Sequence, residues 1–186
     1  MGNSYCDIAP MHQWHGPYHD TEYGFPLEDD AALFERLMLE INQAGLSWLT
    51  ILKKREAFRR AYDGFDPAIV AKYGARDRRR LLADAGIVRN RLKIEAAIAN
   101  AARILELRES YGSFAGWLAA HHPRPKAEWL KLFKQTFRFT GGEIVGEFLM
   151  SIGYLPGAHA ESCPVHRRVM RLRPPWSRTP AKRAAR

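Results

Sequence analysis

Cysteine is scarce in this chain: 186 residues contain two, Cys6 and Cys163, near opposite ends. At most one disulfide is possible. Met1 to Pro10 lack a basic segment followed by an apolar one, so secretion is not expected and a reduced cytoplasmic setting is. There, two distant cysteines form that single bridge, meet at a metal or stay free, and the sequence leaves these open. Long apolar runs are missing as well. No stretch approaches the roughly 20 residues of a membrane-spanning helix, so no membrane partner is expected. Period-two alternation and hairpin dipeptides are missing, which leaves no strand to predict. No internal repeat is present.

Charge is missing in two places. Residues 167–186 hold eight basic residues and no acid, whereas residues 1–166 hold 21 Lys and Arg against 20 Asp and Glu. The net charge of +9 therefore comes mostly from the last twenty residues and says little by itself about a nucleic-acid partner. The first 50 residues carry one basic side chain, Arg36, against eight acids. Residues 76–93 reverse this, with Arg76, Arg78, Arg79, Arg80, Arg89, Arg91 and Lys93 against Asp77 and Asp84. Such segregation suits a local anion-facing surface, a solvated helix face being the plainer alternative.

What is present is helical punctuation. At 46% hydrophobic and 26% charged, the chain has the composition of a soluble domain with a real core. Asp29-Asp30 opens a helix with Leu33, Phe34, Leu37 and Ile41 at helical spacing. Ser47 caps a second running to about Tyr62, and Asp66-Pro67 starts a short one ending at Gly74. Asp77 caps the next, stopped by Gly86. A long helix spans about Arg89 to Tyr111, followed by helices from Ser113 to His121, over Lys126–Thr136 and over Glu143–Ser151. These predict an all-α domain over residues 1–170. The Arg- and Pro-rich residues 171–186 read as a mobile basic tail.

Four constellations could carry chemistry. Glu40 shares the stripe of Leu33, Leu37 and Ala44, where a carboxylate is costly unless it is paired, snorkels to water or faces a cavity. Gly45, Leu46 and Trp48 follow it as a tight turn with an apolar tip and a flat ring. Trp14, His15, Tyr18, His19, Tyr23 and Phe25 are interleaved with Gly16, Pro17, Gly24 and Pro26; they read as loop aromatics lining a pocket, or as core. Ala85-Gly86-Ile87-Val88, between two helices and before Arg89, Arg91 and Lys93, suits a phosphate at a helix N-terminus, although a helix-ending glycine gives part of that pattern. Finally, Cys6 with His19 and His159 with Cys163 make an N₂S₂ set of the kind structural zinc uses.

In this order, these runs resemble the DNA-3-methyladenine glycosylase I family. The likeness covers about residues 4–166: Tyr18-His19-Asp20-Thr21-Glu22-Tyr23-Gly24, Glu40 to Trp48, Lys53-Lys54-Arg55-Glu56, Asp84 to Arg89 with Lys93-Ile94, Phe137 to Gly141, and the late His159-x₃-Cys163. The resemblance implies a helix-hairpin-helix glycosylase fold with a zinc snap at Cys6, His19, His159 and Cys163, one structural Zn²⁺ per chain. It implies Glu40 as the catalytic residue and Tyr18, Trp48, Tyr23 and His15 around the flipped base. Gly45 and Leu46 would form the DNA wedge, and Gly86, Ile87, Arg89, Arg91 and Lys93 the phosphate-binding hairpin.

The activity implied is base-excision repair. A monomeric, cytoplasmic, nucleoid-associated hydrolase would release N3-methyladenine from double-stranded DNA, without lyase activity because no nucleophilic lysine sits at a pocket position. The sequence departs from the family pattern at Tyr23, where Trp is usual, and at His15, where Tyr is usual. It departs again at Glu143, Gly146 and Glu147, where Thr and Tyr are commoner near a Ser-Phe-Met run, and by one residue inserted between Gly153 and His159. Two alternatives follow: a glycosylase of the same fold for another alkylated base, and a non-catalytic zinc-stapled module that binds DNA. A third, a regulator with more metal, would also use His12, His15, His121 or His122.

Overall fold

Residues 4–178 are described by a computed structural model, and among them the chain forms eleven α-helices and no strand. In order these are α1 (Tyr5–Ile8), α2 (His15–Thr21), α3 (Asp30–Gln43), α4 (Trp48–Ala61), α5 (Pro67–Val70), α6 (Ala75–Ala83), α7 (Arg91–Tyr111), α8 (Phe114–His121), α9 (Lys126–Thr136), α10 (Gly142–Ser151) and α11 (Pro164–Arg171). No helix among the described residues is long and apolar enough to cross a membrane.

The caps explain most boundaries. The Asp29 carboxylate accepts the Ala32 N–H at 2.8 Å, Ser47 accepts from Thr50 and Ser113 from Gly116. Two expected starts shift. Asp77 lies inside α6, where its carboxylate accepts the Gly74 N–H, so Gly74 is the cap. The long helix begins at Arg91 instead of Arg89, because the Asn90 side chain accepts the Lys93 N–H and ends the hairpin there.

α3 is the central element, packed against α4, α7, α8 and α10. Leu33, Phe34, Leu37, Met38, Leu39 and Ile41 have no exposed surface, so the predicted one-sided stripe is in fact buried all round. Each contributes roughly 1.5–3 kcal/mol of burial free energy. Phe114, Trp117, Trp129, Phe133, Phe137 and Phe148 knit α8, α9 and α10 together, with neighbouring ring centroids 5.1–6.3 Å apart. Tyr18, Tyr23 and Leu52 form a separate small cluster with Tyr5 and Trp48.

Two expectations from composition change. The N-terminal aromatic segment is helical over α2; Pro17 falls in its first turn, where a missing N–H leaves no bond unmade. The expected tail is anchored as far as Arg178. Pro174 and Pro175 are buried, the Trp176 N–H donates to the Gly153 carbonyl at 3.1 Å, and His122 Nε2 donates to the Pro175 carbonyl at 3.0 Å. Charge counting missed this because two prolines have little backbone entropy left to lose. Residues 179–186 of that expected tail lie outside the described residues.

Candidate active site

Glu40, one helical turn beyond Arg36 on α3, ends in a cavity of about 270 Å³ lined by Tyr5, Tyr18, Tyr23, Glu40, Gln43, Trp48 and Glu147. That is just below the roughly 300–1,000 Å³ of drug-sized pockets, a scale suited to one flat heterocycle. Only 4% of Glu40 is exposed, and its carboxylate makes no hydrogen bond among the described residues. Burial, reinforced by the Glu147 charge and opposed by Arg36, pushes its pKa up to about 8. At that value the Glu40 carboxyl is mostly protonated at pH 7.

The walls are held from behind. Tyr18 and Trp48 meet edge to face with centroids 5.1 Å apart. Arg36 donates to the Tyr18 hydroxyl at 3.2 Å and lies over its ring, 4.8 Å from the centroid. Arg36 also donates to Glu22, which takes a two-pronged bond from Arg55 at 2.6 and 2.7 Å. This ion network ties the end of α2 to α3 and α4, so the Lys53–Glu56 run contributes positioning through Arg55.

The four Cys and His side chains converge beside this pocket. One ligand atom from each of Cys6, His19, His159 and Cys163 lies within 4.8 Å of all the others. Cys6 Sγ is 3.7 Å from His159 Nδ1, and Cys163 Sγ is 3.7 Å from His19 Nε2 and 3.9 Å from His159 Nδ1. Ordinary Zn–S and Zn–N bonds at tetrahedral angles put S and N about 3.6 Å apart, so the donor set fits such an ion. Each imidazole is also oriented: His19 Nδ1 donates to Asp20, and His159 Nε2 donates to the Tyr23 carbonyl, both at 2.7 Å. Those bonds leave the opposite ring nitrogens free to ligate. Both cysteines are free thiols.

Gly24 fits this packing by lacking a side chain. Its φ is +81°, and a Cβ would stand 2.8 Å from Ala158 Cβ and 3.3 Å from His159 Cδ2. Gly24→Ala is therefore expected to cost about 1–3 kcal/mol, a melting temperature lower by several degrees in a thermal scan.

The family model for methyladenine glycosylase matches residues 10–129. The chain belongs to that family. It is 38% identical over 165 residues to DNA-3-methyladenine glycosylase 1 of Escherichia coli (strain K12), covering 78% of this chain and 88% of that relative. A DNA-3-methyladenine glycosylase of Haemophilus influenzae (strain ATCC 51907 / DSM 11121 / KW20 / Rd) is 36% identical, over 79% of this chain and 89% of its own. The Staphylococcus aureus 3-methyladenine DNA glycosylase I structure superposes with a TM-score of 0.78 at 35% identity, covering 87% of this chain and 95% of that one. A Tyr-to-Phe variant of such an enzyme, solved in complex with 3-methyladenine, gives the same TM-score and identity over 87% and 96%.

In this methyladenine glycosylase, not every residue picked from sequence reaches the pocket. Tyr18, Tyr23, Glu40 and Trp48 line it. His15 does not: its Nδ1 is 3.1 Å from the Tyr5 hydroxyl, and it supports Tyr5 from outside. Gly45, with φ +83°, and Leu46, 42% exposed, form the turn at the rim of an adjoining groove that also contains Glu40, Glu143 and Glu147.

The hairpin divides. Ile87 is buried, and Gly86 packs so closely that a Cβ would stand 3.0 Å from Ala57 Cβ. Lys54 Nζ holds the turn by donating to the Ala85 and Gly86 carbonyls. Arg89 and Arg91 are exposed and make no ion pair among the described residues. Lys93 departs from expectation. It is 4% exposed, and its Nζ donates to the Asn42 and Ala44 carbonyls at 2.9 and 2.7 Å. It caps the end of α3 and braces the Gly45–Leu46 turn, so its charge is spent on the helix dipole. Arg78 and Arg80 are likewise engaged, with Glu95 and with the Ala61 carbonyl. Among the basic stretch, Arg76, Arg79, Arg89 and Arg91 face outward without ion pairs among the described residues.

Tyr5, Gln43 and Glu147 line the pocket without having been singled out for it. Tyr5 stands next to a proposed metal ligand, Cys6, and Gln43 is one turn on from Glu40; both signals were available in the sequence. For Glu147 the only signal was its departure from the family pattern.

Proposed function

We propose that the chain releases N3-methyladenine from DNA by extruding the nucleotide and holding the cationic base against the rings of Tyr18 and Trp48 and beside Glu40. The enzyme is a DNA-3-methyladenine glycosylase of base-excision repair, as its relatives are. The observation that carries the finer reading is the buried, unbonded carboxyl of Glu40 in an aromatic cavity of base size.

The chemistry follows from charge. Methylation at N3 makes the base cationic and a good leaving group, so the chemical step needs little acid catalysis. Selection falls on extrusion. A cationic base entering the cavity supplies the counter-charge that lets Glu40 ionise, and the aromatic faces add a cation–π contact of about 2 kcal/mol when desolvated. A neutral adenine supplies neither. Water then attacks C1′ of the sugar as the N-glycosidic bond breaks and the base leaves, and with no lysine amine lining the cavity among the described residues no covalent imine forms, so the strand stays unbroken.

Leu46 and Gly45, braced by Lys93, are the wedge that fills the vacated stack. The α6–Gly86–α7 unit is the helix-hairpin-helix element, its exposed Arg89 and Arg91 and the first-turn N–H groups of α7 meeting phosphate. Cys6, His19, His159 and Cys163 would hold one structural Zn²⁺, fixing α1 and α2, and with them Tyr5, Tyr18 and Tyr23, beside Glu40. Held by four protein side chains, such an ion would supply rigidity and no chemistry of its own.

The pH dependence tests this directly. Because the carboxylate is the working form and its free-enzyme pKa is raised, kcat/KM on methylated duplex should fall as pH drops below about 8, approaching tenfold per unit, and level off above. Glu40→Gln should lack that limb. A wild-type profile flat between pH 6 and 9, or strand cleavage accompanying base release, would overturn the reading.

A further inference from the structure

Arg36 is 4% exposed, and a buried guanidinium is costly unless a carboxylate matches its charge. Arg36 has only a share of one. Its Nη2 donates to Glu22 Oε2 at 2.9 Å; that oxygen also accepts from Arg55 Nη2 at 2.7 Å, and the other Glu22 oxygen accepts from Arg55 Nη1. The next carboxylate along, Glu35, is divided between Arg55 and Arg59. The second Arg36 nitrogen meets neutral oxygens, the Tyr18 hydroxyl at 3.2 Å and the Ser151 carbonyl at 3.4 Å. Part of this cation is therefore left unneutralised. It lies behind the Tyr18 wall, one helical turn before Glu40 on the same face of α3.

No other group around Glu40 supplies such a charge. From α10, Glu147 brings a second acid, itself pushed toward the neutral form by burial. Tyr5 of α1, Tyr18 of α2 and Tyr23 just after it are phenols that burial holds neutral through the working range. Trp48 of α4 and Gln43 carry no charge. The titratable groups on the other sides of α3 are engaged elsewhere: Lys93 with the Asn42 and Ala44 carbonyls, Arg108 with Asp30, His121 with the Trp117 carbonyl and Asp63 with Tyr73. Among the described residues, Arg36 is the cation that favours an ionised Glu40.

We propose that Arg36 is a positioning residue of the excision reaction, fixing the Tyr18 wall and supplying the positive field that brings the ionised form of Glu40 within reach of neutral pH. This rests on the glycosylase reading above. The test is kcat/KM for 3-methyladenine release from methylated duplex between pH 6 and 10, for wild type, Arg36→Met, Arg36→Lys and Glu22→Gln. Arg36→Met should move the acid limb up by about one pH unit, a roughly tenfold loss at pH 7. Arg36→Lys keeps a cation and should hold the wild-type limb even where lost hydrogen bonds lower the plateau. Glu22→Gln removes the carboxylate that partly neutralises Arg36 and should move the limb the other way, to lower pH, by a smaller amount. It reads the same field in a chain that keeps Arg36, should the methionine variant fold poorly. A merely structural role would lower the plateau and leave the limb in place. A limb at the wild-type pH in Glu22→Gln or in folded Arg36→Met, or one moved as far by Arg36→Lys as by Arg36→Met, would overturn the proposal while leaving the glycosylase reading intact. A wild-type profile without a limb would overturn both.

Discussion

Glu40→Gln should lower kcat/KM for 3-methyladenine excision about 100-fold at pH 8 and, in the same protein, raise the melting temperature. The activity loss follows from removing one partner of a desolvated charge pair, which costs about 3–5 kcal/mol. At pH 8, where this pKa lies, Glu40 is half ionised and completing its ionisation costs only about 0.4 kcal/mol, so the net effect sits near the lower bound of that range. The stability gain comes from linkage. The folded state raises the Glu40 pKa from 4.5 to about 8. The folded chain therefore binds this proton more tightly than the unfolded chain. The resulting stabilisation is complete below pH 4.5, declines as pH rises and is lost through pH 8. Glutamine carries no such penalty, so the variant should gain a few kcal/mol at pH 8 and much less at pH 5. Thermal melts at the two pH values check this. A variant no more stable than wild type at pH 8 would mean that the side chain is solvated in solution.

Cys163→Ser should lose bound zinc and melt far below wild type, by roughly ten degrees or more. The four donors join α1, α2 and the segment leading into α11, and among the described residues no disulfide links these parts. Structural zinc contributes folding free energy directly, because the unfolded chain lacks the assembled site. Val165, Val169 and Phe25 pack beside Cys163 and should slow complete loss of this corner. Metal content by elemental analysis should be one zinc per wild-type chain and near zero in the variant; one zinc retained by Cys163→Ser would contradict the assignment. Excision should also fall, since Tyr5 adjoins Cys6 and His159 bonds the Tyr23 carbonyl.

The helices were legible because their ends are written locally: Asp29, Ser47, Asp66 and Ser113 all cap as their side-chain chemistry requires. The α2 segment was not, since its glycines, proline and aromatics read as a loop until the neighbouring elements hold it. Lys93 was misread for a related reason. On a one-dimensional chart it extends a basic run, whereas its partners, the carbonyls of Asn42 and Ala44, lie some fifty residues earlier. Glu40 could be picked out because an acid on an apolar stripe contradicts its surroundings. Glu147, on a helix of mixed character, carried no such contradiction, and only folding shows that it shares a cavity with Glu40.

The most direct measurement is mass spectrometry of the bases freed from methylated duplex DNA by wild type and by Glu40→Gln, side by side at equal folded concentration. The account predicts methylated purines from wild type, no unmodified adenine, and about one hundredth of the rate from the variant. Equal release by the two proteins would contradict it.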